Sequence, residues 1–362
     1  QNPQKVVVLD FGVADIIRAL GDAGKIVGFP KAGHIPAYLV EFNQDKFKNV
    51  GTLPEPAFEA INELNPDLII AAPRQQKLLD KLKEIAPVFY VQNDYANYYP
   101  SFQENVTALG KIFNKDAVAK EKLDALESKV VQVAKDSKGK TALLVLVNES
   151  KISAFGDNSR YSMVYQKFGF KPADPNIKSS THGMSVGFEY ILEKNPDYLL
   201  VVDRTAAVTD KVNNAQKVLD NSLIQQTNAF KNNHIVYLDA ENWYLAFGGL
   251  ESMEIIAAEL EKAVKLYAEI IADESASAVD YLNAGYSSWF DKRIEEAAER
   301  FADYLLKLKK DSADAATENN LSSNALLEKF QEDLLLLAKY GISEVEMRLM
   351  ADISTRNSHN NN

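Results

Sequence analysis

The chain states one segment twice. Residues 58–74 and 188–204 agree at eight of seventeen positions: each opens Phe-Glu, passes through Asn-Pro-Asp into an apolar run, and closes on an arginine, Arg74 in one copy and Arg204 in the other. Phe58, Ile61 and Leu64 recur at helical spacing, Asn-Pro stops the helix, and the run after Asp67 reads as a strand buried on both faces. Helix, tight turn and buried strand make half of a parallel βαβ unit. Two similar α/β lobes therefore follow. Because ligands collect beyond the carboxyl ends of strands in such sheets, Arg74 and Arg204 are placed to face one shared cleft. Packing alone accounts for the helix and strand, but not for a repeated arginine.

A net charge of −11 and a pI near 5.1 argue against nucleic acid or an anionic membrane as the main partner. An anionic ligand then needs a local basic site. The absence of cysteine removes disulfides, thiolate ligands and cysteine nucleophiles together. No apolar stretch reaches the roughly 18 residues of a spanning helix, and Gln1 leads directly into structure-like sequence, so any export signal or anchor is expected to be absent from this chain.

Along the chain, strand and helix signals alternate through residue 92, giving an N-terminal α/β lobe over 1–114. Residues 115–138 are rich in Lys, Glu and Ala without an internal Pro, and Leu123, Leu126, Val130 and Val133 share one side. At 1.5 Å per residue this is a helix of about 30 Å, a rigid strut between lobes. A second α/β lobe spans 139–266. It carries polar residues for which a packed core has little use: Arg160 in a turn, His182 in a loop between glycine-containing segments, and Tyr244 in an aromatic pair with Trp243. On residue chemistry alone, His182 reads as a surface histidine and Tyr244 as packing.

The motifs Val-Val-Val-Leu-Asp-Phe-Gly, both Asn-Pro-Asp segments, Ile-Ser-Ala-Phe-Gly, Thr-His-Gly, Val-Val-Asp-Arg and Trp-Tyr-Leu-Ala-Phe-Gly-Gly together give residues 1 to about 265 a resemblance. This region resembles a periplasmic ferric-siderophore-binding protein of the catecholate type, the substrate-binding component of an ABC importer. The resemblance implies a class III periplasmic binding protein fold, with two Rossmann-like lobes joined by one long helix and little hinge motion. It implies that Arg74, Arg160, Arg204 and Trp243 hold an anionic ferric siderophore, a tetradentate catecholate. It implies that His182 and Tyr244 complete the iron shell. Hard iron(III) suits phenolate and catecholate oxygen, and guanidinium supplies a charge that does not titrate. Glu59 and Glu189, one at each helix start, are implied to meet arginines of the permease. Carboxylates at helix starts also complement the helix dipole, so both roles are compatible. Phe247 stands where the family often has Ser, which narrows the cleft beside Tyr244. The expected location is periplasmic, or lipid-anchored on the outer face of the cell membrane, with no intrinsic cofactor. Other metal complexes, such as a nickel chelate, haem or a corrinoid, remain alternatives. A metal-dependent enzyme is the weaker reading, since no acid-base pair or nucleophile motif accompanies His182.

Residues 267–362 carry no such resemblance. Apolar stripes at helical spacing, Phe290 to Leu308 and Leu327 to Leu337, indicate an all-α module with a disordered polar end, either a natural accessory domain for partner binding or an engineered fusion.

Overall fold

The computed structural model describes residues 2–178, 180, 182–209, 211 and 213–265. The chain divides after Val264, and the helical module expected over 267–362 lies outside the described residues.

Strands β1 (Val6–Val8), β2 (Ile26–Phe29), β3 (Lys48–Asn49), β4 (Leu68–Ala71) and β5 (Val88–Tyr90) form an all-parallel sheet in the order β3-β2-β1-β4-β5. The three valines of β1 are fully buried, as a central strand covered on both faces requires. Helices α1 (Phe11–Ala19), α2 (Phe58–Glu63), α3 (Leu79–Lys83) and α4 (Tyr98–Ile112) complete the first lobe. Helix α5 (Asp116–Asp136) is the expected strut, with Ala119, Leu126, Val130 and Val133 buried along one face.

The second sheet is built from β6 (Thr141–Asn148), β7 (Lys151–Phe155), β8 (Lys171–Pro172), β9 (Met184–Val186), β10 (Tyr198–Asp203) and β11 (Ile235–Leu238). Its order is β11-β10-β6-β7-β9, with β8 beside the start of β6. The repeat leads to the expectation of a parallel sheet in each lobe, whereas this one is mixed: β6 pairs antiparallel with β7, and β7 with β9. The cause is local. Only Glu149 and Ser150 separate β6 from β7, too few residues for a crossover, and Glu149 takes φ 53 as a tight hairpin turn demands. Helices α6 (Met163–Gln166), α7 (Phe188–Lys194), α8 (Arg204–Val208), α9 (Asn214–Leu219), α10 (Asn228–Lys231) and α11 (Leu250–Val264) follow. These two sheets and their helices give the two-lobed α/β architecture that the resemblance implies.

The repeated Asn-Pro-Asp performs the same two tasks in both lobes. Asn65 and Asn195 adopt left-handed backbone, φ 46 and φ 41, and so end α2 and α7 before the proline. The aspartate then ties its own strand to the neighbouring one. Asp67 accepts from the N–H groups of Gln4 (2.8 Å) and Lys5 (3.0 Å), just before β1. Asp197 accepts from the N–H and the hydroxyl of Thr141, both at 2.8 Å, where β6 begins. The motif therefore sets the register of each sheet's central strand pair, and with it the positions where the strands end.

The last helix, α11, packs on α1 of the first lobe and on α5. Its first turn is capped from outside by Asp15 of α1, which accepts from Glu251 N–H (3.0 Å), Ser252 N–H (2.9 Å) and the Tyr38 hydroxyl (2.9 Å). A Cβ on Gly249 would fall inside contact distance of that carboxylate, whereas Gly248, at φ 95, would set one against the Tyr98 hydroxyl. Asp15 is fully buried, and burial, against the pull of its donors, pushes its carboxyl from 3.8 up to about 6. The folded chain then holds this proton at pH values where the unfolded chain has released it, so stability from this group falls as pH rises from 3.8 through 6. Two pH units correspond to about 3 kcal/mol. The stability of wild type relative to Asp15→Asn is expected to fall by up to that amount between pH 4 and pH 7 in denaturant unfolding; a pH-independent difference would show that folding leaves the Asp15 pKa unshifted.

Candidate functional site

Both sheets end their strands at one cavity of about 640 Å³. Asp10 follows β1 and Arg74 follows β4. Across the cavity stand Asn148 at the end of β6 and Arg204 immediately after β10. Arg160, in the turn before α6, and His182, in the turn before β9, also line it. The carboxyl-end rule thus holds in both lobes, and Arg74 and Arg204 converge as the repeat implies.

What they converge on is Tyr244. Its segment, Glu241–Leu245, is a π-helical turn between β11 and α11. Glu241 accepts from the Ala37 N–H (2.8 Å) and pairs with His34, both in the first lobe, while Asp239 caps the turn through the Asn242 N–H (2.8 Å). Arg74 donates to the Tyr244 carbonyl at 3.2 Å, and Arg160 to the same carbonyl at 3.4 Å. Arg204 donates through Nε to the Tyr244 phenol oxygen at 2.8 Å and through Nη1 to Asn148 at 2.9 Å. The guanidinium groups of Arg160 and Arg204 also lie over the Tyr244 ring, 5.4 and 5.3 Å from its centre, in cation–π geometry. Three permanent cations thus share one aromatic residue in a cleft whose sole lining carboxylate among the described residues is Asp10. Asp10 accepts from Arg74 at 3.3 Å and caps α1 through the Val13 N–H (3.2 Å). Burial raises its pKa, with Arg74 and the helix N–H groups pulling the other way. Each guanidinium carries five N–H donors, so the bonds to Tyr244 leave donors over for an anion.

His182 is exposed at the cavity wall. The glycine after it has φ 74, and a Cβ there would press on the Phe155 ring and the Ala154 carbonyl, so His-Gly lets the turn lie flat on β7. Trp243 departs from the expectation. It is fully buried, does not line the cavity, donates its indole N–H to Glu259 (2.8 Å) and packs near the rings of Tyr161 and Phe247. The π-helical turn sends Tyr244 into the cleft and its neighbour Trp243 into the core. Phe247 does line the cavity, packed against Tyr98 and Tyr161 beneath Arg160. Glu59 and Glu189 do not line the cavity and are exposed in the first turns of α2 and α7. His34 pairs with Glu241, and His234 stacks on Tyr198 (4.2 Å between rings), so neither histidine faces the cleft. Sequence reasoning missed Asp10, Tyr98, Asn148 and Lys151 on the cavity wall. Asp10 carried a signal, since it ends a buried strand and starts a helix, the position from which α/β sheets address ligands.

Known proteins are similar to this chain in sequence and fold. A family model described as periplasmic binding protein matches residues 6–242. The petrobactin-binding protein YclQ of Bacillus subtilis is 42% identical over 267 residues, covering 73% of this chain and 84% of that protein. Its crystal structure superimposes with a TM-score of 0.71, covering 74% of this chain and 93% of that one. The ferric-anguibactin-binding protein FatB of Vibrio anguillarum is 32% identical over 270 residues, 72% of this chain and 82% of that protein. The periplasmic catecholate-siderophore binding protein VctP of Vibrio cholerae superimposes at 36% identity with a TM-score of 0.69, covering 72% and 94% of the two chains.

Proposed function

The chain belongs to the periplasmic binding protein family, whose members capture a substrate without transforming it, and from that premise we propose that its cleft takes an anionic ferric siderophore of the catecholate type and delivers it to an ABC importer outside the cytoplasm. The observation that carries this reading is the convergence of Arg74, Arg160 and Arg204 on Tyr244. The siderophore ligands for which YclQ, FatB and VctP are named support it. In this reading the siderophore is tetradentate. Two catecholates fill four positions of octahedral iron, and the His182 imidazole and the Tyr244 phenolate fill the other two. The guanidinium groups then turn their donors from Tyr244 to the catecholate oxygens, keeping charge-assisted hydrogen bonds throughout. Four catecholate oxygens leave iron(III) with one net negative charge, and the phenolate makes two. Asp10 offsets one of the three guanidinium charges, so the remainder balances the complex. Phe247 and Tyr98 give the catechol rings an aromatic floor.

Titration with ferric complexes of a tetradentate catecholate, a hydroxamate and haem tests the reading, and only the catecholate is expected to bind tightly. Tyr244→Phe is expected to shift the charge-transfer band of the bound complex, and an unmoved band would remove the phenolate from the iron. Each arginine-to-alanine change is expected to cost about 1.5–3 kcal/mol of affinity, and arginine-to-lysine less, because the forked donors and not charge alone are used.

Glu59 and Glu189 fit a docking role, since matched charges on two similar lobes suit a permease pair related by approximate twofold symmetry. Charge reversal at either is expected to impair uptake in cells while ligand affinity stays unchanged. A loss of affinity would instead place these residues in the cleft's own machinery.

A further inference from the structure

The β6–β7 hairpin gives the cavity a second polar wall that the iron-binding reading leaves unused. Strand alternation sends Lys151, Ser153 and Phe155 to the cavity face of β7, while Ile152 and Ala154 are buried on the other face. Asn148 and Lys151 are the cross-strand pair that flanks the two-residue turn, and both line the cavity. The turn itself is fixed, because Glu149 donates its N–H to the Thr205 hydroxyl at 2.6 Å and accepts from the Asn214 side chain at 3.0 Å. The wall is therefore held against the segment that carries Arg204.

The arginines of the cavity are engaged within the protein: Arg74 with Asp10 and Tyr244, Arg160 with Tyr244, Arg204 with Tyr244 and Asn148. Lys151 is exposed, and its ammonium makes no ion pair or hydrogen bond among the described residues. Beside it, the Asn148 carbonyl is committed to Arg204, which leaves its amide NH2 as a donor, and the Ser153 hydroxyl faces the same cavity. One cation, one amide donor and one hydroxyl donor on one rigid hairpin face form a receptor for a compact oxygen anion. The charge balance says that this anion is not the iron core. Two unmatched guanidinium charges already meet the two negative charges of a ferric bis-catecholate joined to the Tyr244 phenolate, so Lys151 is a surplus cation.

We propose that Lys151, with Asn148 and Ser153, is a specificity subsite for a carboxylate carried on the siderophore backbone outside the iron shell. The proposal rests on the ferric-catecholate reading above. It makes the protein discriminate between catecholate siderophores of the same denticity by what their linker carries.

Two ferric complexes differ in this feature alone: two catecholates acylated on the amines of lysine, which keeps a free carboxylate, and the same groups on cadaverine, which lacks it. Fluorescence-quenching titrations of the intact chain are expected to favour the lysine-linked complex by about five- to tenfold, between the value of an exposed ion pair and that of a charged hydrogen bond. Lys151→Met is expected to bring that ratio close to one while leaving affinity for the cadaverine-linked complex unchanged, and Lys151→Arg to keep most of it. The visible spectra of the two bound complexes are expected to coincide, as they must if the carboxylate stays off the iron. A preference that survives Lys151→Met, an equal loss of affinity for both complexes, or differing iron spectra would each overturn the proposal. Failure of the wild-type chain to bind either complex would instead overturn the ferric-catecholate reading beneath it.

Discussion

Asp15 accepts three hydrogen bonds in the interior, from the Glu251 and Ser252 N–H groups and the Tyr38 hydroxyl, and so fastens the start of α11 to α1. Much of the cleft depends on this. Tyr244 sits on the segment that leads into α11, and the other end of that segment is held by Glu241 bonding to His34 and the Ala37 N–H. A residue that arrives with the second sheet is thereby clamped at both ends to the first lobe. The carboxylate is held although burial raises its pKa to about 6, because an uncapped helix start in the same place would leave buried N–H groups without partners. The close approach that makes the cap work also explains Gly249, since no side chain fits between it and Asp15.

The clamped tyrosine then organises the charges. Arg74 comes from the first sheet, Arg160 and Arg204 from the second, and each reaches the same residue. Like charges brought together in a partly buried cleft repel, and the Tyr244 carbonyl, its phenol oxygen and its ring face offset that repulsion by acting as acceptor and π surface. The arrangement suits capture. In the proposed reading, an incoming anion replaces the neutral Tyr244 partners of the guanidinium groups with charge-assisted ones. Helix α5, continuous over 21 residues, and the α1–α11 clamp both resist wide opening of the lobes.

The parts of this arrangement that were legible in the sequence are those written in short-range rules. The repeated Asn-Pro-Asp gave two strands and two arginines at their carboxyl ends, because a left-handed Asn, a proline and a capping aspartate act within a few residues. Helix α5 was legible from composition and periodicity. Helix α4 went unassigned, although Pro100 stands in its first turn, where proline is tolerated. The antiparallel β6–β7 pair was hidden for a different reason: the repeat stops short of it, and only the spacing of Asn148 and Lys151 betrays the hairpin. Trp243 and Tyr244 show the hardest limit. They are adjacent aromatics of similar chemistry, and which one faces the cleft depends on a π-helical turn set by partners more than 200 residues away, His34 and Ala37, which no local pattern encodes.

A crystal structure of the protein with a tetradentate ferric catecholate bears most directly on the central claim, that the three arginines and Tyr244 form one anion-capturing centre. Iron is expected in the cleft, bonded to the Tyr244 phenolate and the His182 imidazole, with the guanidinium groups of Arg74, Arg160 and Arg204 moved from Tyr244 onto catecholate oxygens. Iron seated at the cleft mouth, with the three arginines still bonded to Tyr244 as they are in the free protein, would contradict it.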